Sequence, residues 1–188
     1  MLRNLSFASD RDFTRVGLIR PYNDELYKDL GNLLNRVVAM VNRYREGIIP
    51  ESGTNGEREN DLQRVAIEAR EHAEQDLEAW EIGNALQSIW NFVRRTNQYL
   101  EQSKPWLLAR QPEKEEELNT VLFSAAEALR LLSIYLAPFI PDASNRIRSQ
   151  LGLEPVRSSA WVLETTWGSV PLAKVVPGPL LFPRIESP

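Results

Sequence analysis

One stretch constrains the fold of this chain more than any other: DLGNLLNRVVAMVNRYRE, at residues 29–46. Apolar residues recur within it and just before it at intervals of three and four, which is the spacing of one helical face. These residues are Leu26, Leu30, Leu33, Leu34, Val37, Val38, Val41 and Tyr44. Because such a face needs other helices to cover it, the stretch predicts a helical bundle.

The opposite side of the same predicted helix carries polar side chains suited to nucleic acid. Asn32, Arg36 and Arg43 are separated by close to whole helical turns, so they project from one side. An amide and a guanidinium form paired hydrogen bonds with a base edge, and a further guanidinium holds a phosphate. The row is a candidate site for reading a nucleotide. From the residues alone, contacts within the protein are the favoured explanation: a hydrogen bond from Asn32 to a buried backbone group and an ion pair between Arg36 and a glutamate.

Composition indicates a globular protein with a substantial core. Hydrophobic residues make up 43% and charged residues 26% of the 188 residues. The chain has no cysteine, which excludes disulfides and thiolate metal sites and favours a cytoplasmic location. No apolar run approaches the roughly 20 residues of a membrane span. We therefore expect a cytoplasmic protein without a membrane partner.

The charge is unevenly distributed along the chain. A net charge of −4 disfavours a non-specific nucleic-acid binder, which is normally basic throughout. The acidic residues concentrate at 51–81 and 113–117. Seven basic residues instead lie on, or just beyond, two stretches that are predicted to be helical. They are Arg36, Arg43, Arg45, Arg94, Arg95, Lys104 and Arg110. If those two helices are neighbours, they form a local basic face on an acidic protein.

Periodicity predicts an all-α fold, a five-helix bundle with an extended Pro-rich C-terminal tail packed back on it. The helices are predicted at 21–46, 60–76, 77–102, 113–138 and 142–151. Gly47 is expected to end the first helix in a left-handed conformation, and Trp80 to join a buried seam of the third. The fourth helix has the broadest apolar stripe, with Leu132 in its middle, and is predicted to be central. The acidic helix at 60–76 has no assigned role.

The helical period disappears after Pro155. Prolines and tryptophans then punctuate a segment that forms neither a helix nor a central strand. Its aromatic and aliphatic side chains favour burial, so we expect the segment to cover the bundle. The predicted organisation is an entry segment at 1–20, a helical domain at 21–153 and an extended tail at 154–188.

The sequence contains no recognisable catalytic motif. The phosphate-binding, dinucleotide-binding, zinc-protease and serine-hydrolase patterns do not occur in it. The single histidine, His72, lies among charged residues and is predicted to be a surface residue. We expect this chain alone to catalyse nothing and to bind no metal or cofactor.

Four motifs, in their order and spacing, carry a resemblance to a known family. They are YNDELYKDLGNLLNR at 22–36, TNQYLEQSKPW at 96–106, LRLLSIYLAPFIPDASNRIRSQLGL at 129–153 and LFPRIE at 181–186. Each motif is weak by itself, but together they span the chain almost end to end. The chain resembles the anticodon-binding domain of methionyl-tRNA synthetase, a class I aminoacyl-tRNA synthetase.

The resemblance implies a site and partners. Asn32 and Arg36 match the family positions that read the first anticodon base, and Trp106 matches the tryptophan that stacks under an anticodon base. The implied partners are methionine tRNA, with its CAU anticodon, and an upstream catalytic domain of the same enzyme; no DNA partner is implied. That catalytic domain uses ATP and Mg²⁺ and carries signatures absent here, so we expect this fragment to be inactive. Residues 1–20 are then the remnant of a linker.

Basic residues near the motifs are candidate phosphate contacts. They are Arg43, Arg94, Arg95, Lys104 and Arg110. Ordinary solvated charges explain each of these residues equally well.

Two other interpretations remain open from the sequence. A helical protein-interaction domain uses the same bundle without binding RNA. The equivalent domain of the isoleucine, leucine, valine or cysteine synthetase has a similar architecture. The combination of Asn32, Arg36 and Trp106 favours the methionine enzyme over both.

Overall fold

The structure is a computed structural model that describes residues 19–157, 161 and 164–186. We number its helices in chain order as α1 (Asn32–Arg45), α2 (Glu57–Glu78), α3 (Ile82–Ser103), α4 (Pro105–Leu108), α5 (Glu115–Tyr135) and α6 (Pro141–Gln150). Within those ranges the β pairing consists of one isolated bridge between Ile48 and Lys174. The predicted all-α fold is confirmed. Apart from Ile19 and Arg20, the predicted linker at 1–20 lies outside the described residues.

The first predicted helix, 21–46, is not α-helical throughout. Its first part, Tyr22–Gly31, is a π-helix that leads directly into α1. A Cβ at Gly31 would lie 3.1 Å from the Leu26 carbonyl oxygen, so the absence of a side chain favours this close approach. The left-handed conformation predicted for Gly47 is present at φ 83°, but it begins one residue earlier, at Glu46, with φ 53°.

The other predicted helices exist with shifted boundaries. α2 begins at Glu57, ahead of the predicted 60, because the Glu59 side chain accepts a 2.8 Å hydrogen bond from the Gly56 N–H and caps an earlier turn. α5 ends at Tyr135, ahead of the predicted 138, since the residue before Pro138 is pushed off the helical region. The short helix α4 is not predicted by periodicity.

α5 is the centre of the bundle, as predicted. It contacts each of the other five numbered helices. Leu132, predicted in the middle of the stripe, lies in the last turn of α5 and has no exposed surface. α2 and α3 pack against each other as an antiparallel pair, in which the Tyr99 hydroxyl on α3 donates to Glu59 on α2 at 2.6 Å.

The prediction for the start of the third helix and for Trp80 is wrong. Trp80 lies in the turn between α2 and α3 and is 78% exposed, so it is not part of a buried seam. The Trp80 N–H donates to the Leu77 carbonyl at 3.1 Å and the Glu81 N–H to the Asp76 carbonyl at 2.7 Å, which is the Schellman arrangement. Trp80 takes the place usually filled by glycine, with φ 61°. A side chain in that conformation costs about 1–2 kcal/mol.

The C-terminal segment packs back on the bundle, as predicted. Its Val175 N–H donates to the Gly47 carbonyl at 2.8 Å, and its Ala173 carbonyl accepts from the Ile49 N–H at 3.0 Å. Val175 and Leu181 are each 1% exposed. The apolar residues of the segment therefore extend the hydrophobic core.

The final residues of the tail cover the start of the π-helix. The Asn23 side-chain amide donates to the Ile185 carbonyl at 2.7 Å and accepts from the Ile185 N–H at 3.0 Å. The Tyr22 and Phe182 rings meet edge to face with their centres 6.1 Å apart. The first and last described elements are thus joined directly.

A buried ion pair on α5 holds the middle of the tail. Arg130 Nη2 lies 2.7 Å from Glu127 Oε1, and the two side chains are 5% and 0% exposed. Arg130 also donates to the carbonyls of Glu164 and Thr166, at 2.6 and 2.8 Å. Glu127 accepts from the Gly168 N–H at 2.8 Å. The pair satisfies backbone groups of the tail in a region where water is excluded.

Candidate nucleic-acid interface

The end of α3 determines the position of Trp106. α3 ends at Ser103 because Lys104 has a left-handed backbone with φ 47°, and Pro105 then occupies the first position of α4. Pro105 is buried, whereas Trp106 is half-buried. The indole therefore projects from a fixed backbone and presents part of its ring to solvent.

Arg36 on α1 lies beside Trp106 and beside the last turn of α3. Its Cζ is 5.9 Å from the centre of the Trp106 ring, within the range of a cation–π contact. Its Nη2 is 2.7 Å from Glu101 Oε1, and the two side chains are 33% and 60% exposed. The structure brings two of the three predicted reading residues together, and a carboxylate orients one of them.

Asn32 lies one turn before Arg36, at the first residue of α1. Its backbone N–H donates to the Tyr27 carbonyl across the wide last turn of the π-helix. Its side chain is half-buried and has no hydrogen-bond partner among the residues that the structure describes. An amide with free donors and acceptors one turn from a guanidinium is suited to pairing with a base edge.

Asn97 fixes α3 against the π-helix that precedes α1. Its Nδ2 donates to the Asp29 carbonyl at 3.1 Å and to the Val93 carbonyl at 3.2 Å. The neighbouring Tyr99 is fully buried. Within the motif at 96–106, Asn97 is thus a polar anchor between two elements and Tyr99 is a core residue.

Arg94 and Arg95, two predicted phosphate contacts, form ion pairs with carboxylates of the same chain, although Arg94 is exposed. Arg94 lies 3.8 Å from Asp29, whose pKa is raised by burial against the opposing effect of Arg94. Arg95 Nε donates to Asp61 Oδ2 at 2.7 Å, and the Arg95 side chain is only 20% exposed. Hydrogen bonds from Arg64 and from Arg95 lower the pKa of Asp61. Arg95 therefore joins α3 to α2 and does not face solvent freely.

Arg43, Lys104 and Arg110, the other three predicted phosphate contacts, are exposed. No carboxylate within the described part of the chain forms an ion pair with any of them. The Arg43 guanidinium lies 5.7 Å from the ring centre of Tyr44, which holds it near the surface of α1. These three cations remain available to a polyanion.

Glu101 belongs to this site but is not among the residues that the sequence predicts for it. Its partner Arg36 is far from it in the chain, and no periodicity links a residue of α1 to the last turn of α3. The only signal is its position inside the motif at 96–106. Glu101 is the one acidic side chain that contacts Arg36 within the described residues.

No cluster of possible metal ligands occurs among the described residues. His72 is exposed on α2. None of the helices in the described ranges combines the length and apolar character that crossing a bilayer requires.

Comparison with known families identifies a domain. A family model of the anticodon binding domain of methionyl tRNA ligase matches residues 49–185, well over half of the chain. That match includes Trp106 and begins after Asn32 and Arg36.

Similar proteins carry the likeness over the whole chain. The methionine–tRNA ligase of Bacillus subtilis is 39% identical over 188 residues, which is 100% of this chain and 28% of that protein. The methionine–tRNA ligase of Clostridium tetani is 37% identical over 193 residues, covering 99% of this chain and 29% of that protein. The chain thus spans less than a third of the length of these relatives.

The fold agrees with a solved structure. The apo form of Mycobacterium tuberculosis methionyl-tRNA synthetase matches with a TM-score of 0.83 at 22% identity, over 94% of this chain and 36% of that chain. These matches to methionine enzymes do not favour an interaction domain or a sister synthetase. The chain belongs to the family of anticodon-binding domains of methionyl-tRNA ligases.

Proposed function

We propose that this chain recognises the CAU anticodon of methionine tRNA and positions that tRNA for aminoacylation by an upstream catalytic domain of the same enzyme. The observation that carries the proposal is the contact between Arg36 and Trp106, at 5.9 Å. This contact places two groups side by side. The guanidinium can form paired hydrogen bonds to a base edge, and the indole ring offers a surface on which a base can stack. Unpaired loops are where proteins read RNA sequence, because their bases can be splayed out.

The chemistry of the first anticodon base fits the residues. Cytosine presents acceptor atoms and an amino donor on its Watson–Crick edge. The Arg36 guanidinium donates to the acceptors, and the carbonyl of the Asn32 amide accepts from the amino group. Trp106 stacks on the face of an anticodon base, with an effect of about 1–3 kcal/mol.

To bind the base, Arg36 must give up part of its contact with Glu101 and form hydrogen bonds to the base edge instead. The pair is exposed, so its loss costs about 0–1 kcal/mol. One bidentate contact to the correct base contributes about 1–3 kcal/mol of discrimination. The exchange is therefore favourable for the cognate base, and Glu101 keeps the guanidinium oriented until RNA arrives.

The exposed cations Arg43, Lys104 and Arg110 are proposed to contact phosphates on either side of the reading residues. Arg94 and Arg95 are weaker candidates, because each must first break an internal contact, to Asp29 or Asp61. Phosphate contacts position the RNA and carry no sequence information. This division assigns affinity to the exposed cations and specificity to Asn32 and Arg36.

The same proposal places catalysis outside this chain. By it, the upstream domain binds methionine, ATP and Mg²⁺, and the enzyme acts in the cytoplasm. The isolated chain then supports no methionine-dependent exchange between ATP and pyrophosphate, whereas the chain joined to its upstream domain does.

A binding titration tests the proposal. The isolated chain is titrated with an anticodon stem-loop carrying CAU and with the same stem-loop carrying another first base. We expect the cognate RNA to bind on the order of tenfold or more tightly, which corresponds to one lost base contact. Equal affinity for the two RNAs contradicts the proposal.

A further inference from the structure

The turn between α2 and α3 carries a residue that anticodon recognition does not use. Trp80 occupies a left-handed position with φ 61° and is 78% exposed. The four residues of the turn, at 78–81, are all exposed, so no packing inside the described chain offsets the strain. A strained aromatic residue held in solvent is typical of a functional surface.

The turn is remote from the candidate interface. α3 has 22 residues, so its two ends are about 33 Å apart. Trp80 precedes the start of α3, whereas Trp106 follows its end. The two tryptophans therefore serve different contacts.

The chain enters the bundle from the side on which the turn projects. The π-helix and α3 run in the same direction, since Glu25 pairs with Arg94 at 3.7 Å and Arg36 pairs with Glu101 at 2.7 Å further along both. The start of α3 lies about 18 Å before Arg94 along the helix axis. Ile19 lies less than two helical turns, or about 11 Å, before Glu25, which is a shorter distance. The turn thus extends past the first described residue, towards the N-terminal side of the chain.

The negative charge around Trp80 favours a protein partner over RNA. Asp76, Glu78 and Glu81 flank it, and none of these carboxylates has an ion-pair partner within the described residues. Three uncompensated negative charges repel an RNA backbone. They complement a protein surface whose rim carries lysine or arginine.

We propose that Trp80 anchors this domain to the catalytic domain that precedes it in the longer enzyme, by entering an apolar pocket rimmed with basic side chains. This inference rests on the proposed function, because the catalytic domain is part of that proposal. The chain spans 28% of its Bacillus subtilis relative, so relatives of this kind contain ample additional protein. A single tryptophan buries on the order of 200 Å² and is a frequent anchor of interfaces. Such an anchor fixes the distance from the anticodon site to the catalytic domain.

Hydrogen exchange tests the contact in the full-length enzyme. Amide exchange at residues 78–82 is compared between the full-length enzyme and this chain alone. We expect exchange to slow on the order of tenfold in the full-length enzyme, because docking suppresses opening of the turn. Trp80→Ala in the full-length enzyme returns the rate to that of the chain alone. Ile67→Ala, which removes another exposed apolar residue of α2 at 43% exposure, leaves the protection in place.

A second variant excludes misfolding as the cause. Trp80→Gly removes the anchor but suits the left-handed backbone, so the isolated variant melts no lower than the parent. In the full-length enzyme, Trp80→Gly is expected to lose the protection of residues 78–82 from amide exchange, as Trp80→Ala does.

Three results overturn the docking proposal. They are equal exchange rates in the two proteins, protection that appears only after tRNA is added, and protection of the isolated chain that rises with its concentration. The second result assigns the turn to RNA and the third to a second copy of the chain.

The stem-loop titration keeps this inference separate from the proposed function. If the turn is protected from exchange but the chain does not discriminate at the first anticodon base, the proposed function is contradicted and the docking contact is supported. Discrimination without protection removes only the docking contact.

Discussion

The guanidinium of Arg36 lies 5.9 Å from the ring centre of Trp106, which joins α1 to α4 at the protein surface. Arg36 comes from the amphipathic helix α1 and Trp106 from the short helix α4 that follows α3. A base held here is paired by one residue and stacked on the other. Variants of the two residues therefore have separable effects.

Arg36→Ala is expected to weaken binding of the CAU stem-loop by about 1–3 kcal/mol and to reduce discrimination at the first base, because the paired donors are lost. Titration against both stem-loops measures this. Arg64→Ala, which removes an exposed arginine bound to Asp61 and Glu68 on α2, is the matched control and changes neither value. Unchanged binding of both RNAs by a folded Arg36→Ala variant rules out base reading by this residue.

Arg43→Ala is expected to weaken cognate and altered stem-loops by the same factor, since a phosphate contact carries no base information. One fewer counterion is released, so the slope of log K against log salt becomes shallower by about 0.7. Titrations at several salt concentrations give this slope. A loss confined to the cognate RNA means that Arg43 contacts a base.

Trp106→Phe is expected to retain most of the affinity, because an aromatic face remains for stacking. Trp106→Ala loses about 1–3 kcal/mol. Binding titrations, with circular dichroism to verify helicity, separate the two variants. If Phe and Ala weaken binding equally, the ring does not act by stacking.

Leu132→Ala is expected to lower the free energy of unfolding by about 2–5 kcal/mol, because it opens a cavity in the core beside the last turn of α5. Denaturant unfolding measures the change. Leu172→Ala, at a residue that is 52% exposed in the tail, is the control and stays within about 0.5 kcal/mol of the parent. A similar small effect at Leu132 contradicts the central position of α5.

Glu127→Gln is expected to cost about 3–5 kcal/mol of stability, because it leaves the buried Arg130 guanidinium without a counter-charge. Glu68→Gln breaks an exposed pair with Arg64 and costs about 0–1 kcal/mol. Thermal or denaturant unfolding compares the two. Equal effects mean that the buried pair does not hold the tail in solution.

Local periodicity was sufficient for the architecture. Leu33, Leu34, Val37 and Val41 repeat at helical spacing on α1 and are all fully buried. Loss of that period after Pro155, together with apolar content, predicted a tail that covers the bundle. These predictions succeed because a helix buries one continuous face, and that face is visible in the order of residues.

Positions where the chain leaves regular structure were predicted less well. Trp80 is apolar and fits the period of the third helix, so periodicity predicts that it lies in the core. The turn at the end of α2 puts it beyond any partner helix. The π-helix at Tyr22–Gly31 is likewise not predicted by a 3.6-residue period, because π-helical hydrogen bonds join residues five apart.

The candidate site divides in the same way. The sequence alone determined the helical spacing of Asn32 and Arg36 and the rigid support of Trp106 by Pro105. Which of the charges are free depends on how the helices pack: Arg95 is held by Asp61 and Arg36 by Glu101, whereas Arg43 is exposed. The physical reason is that an ion pair depends on distance in space, which residues far apart in the chain acquire only when the helices pack together.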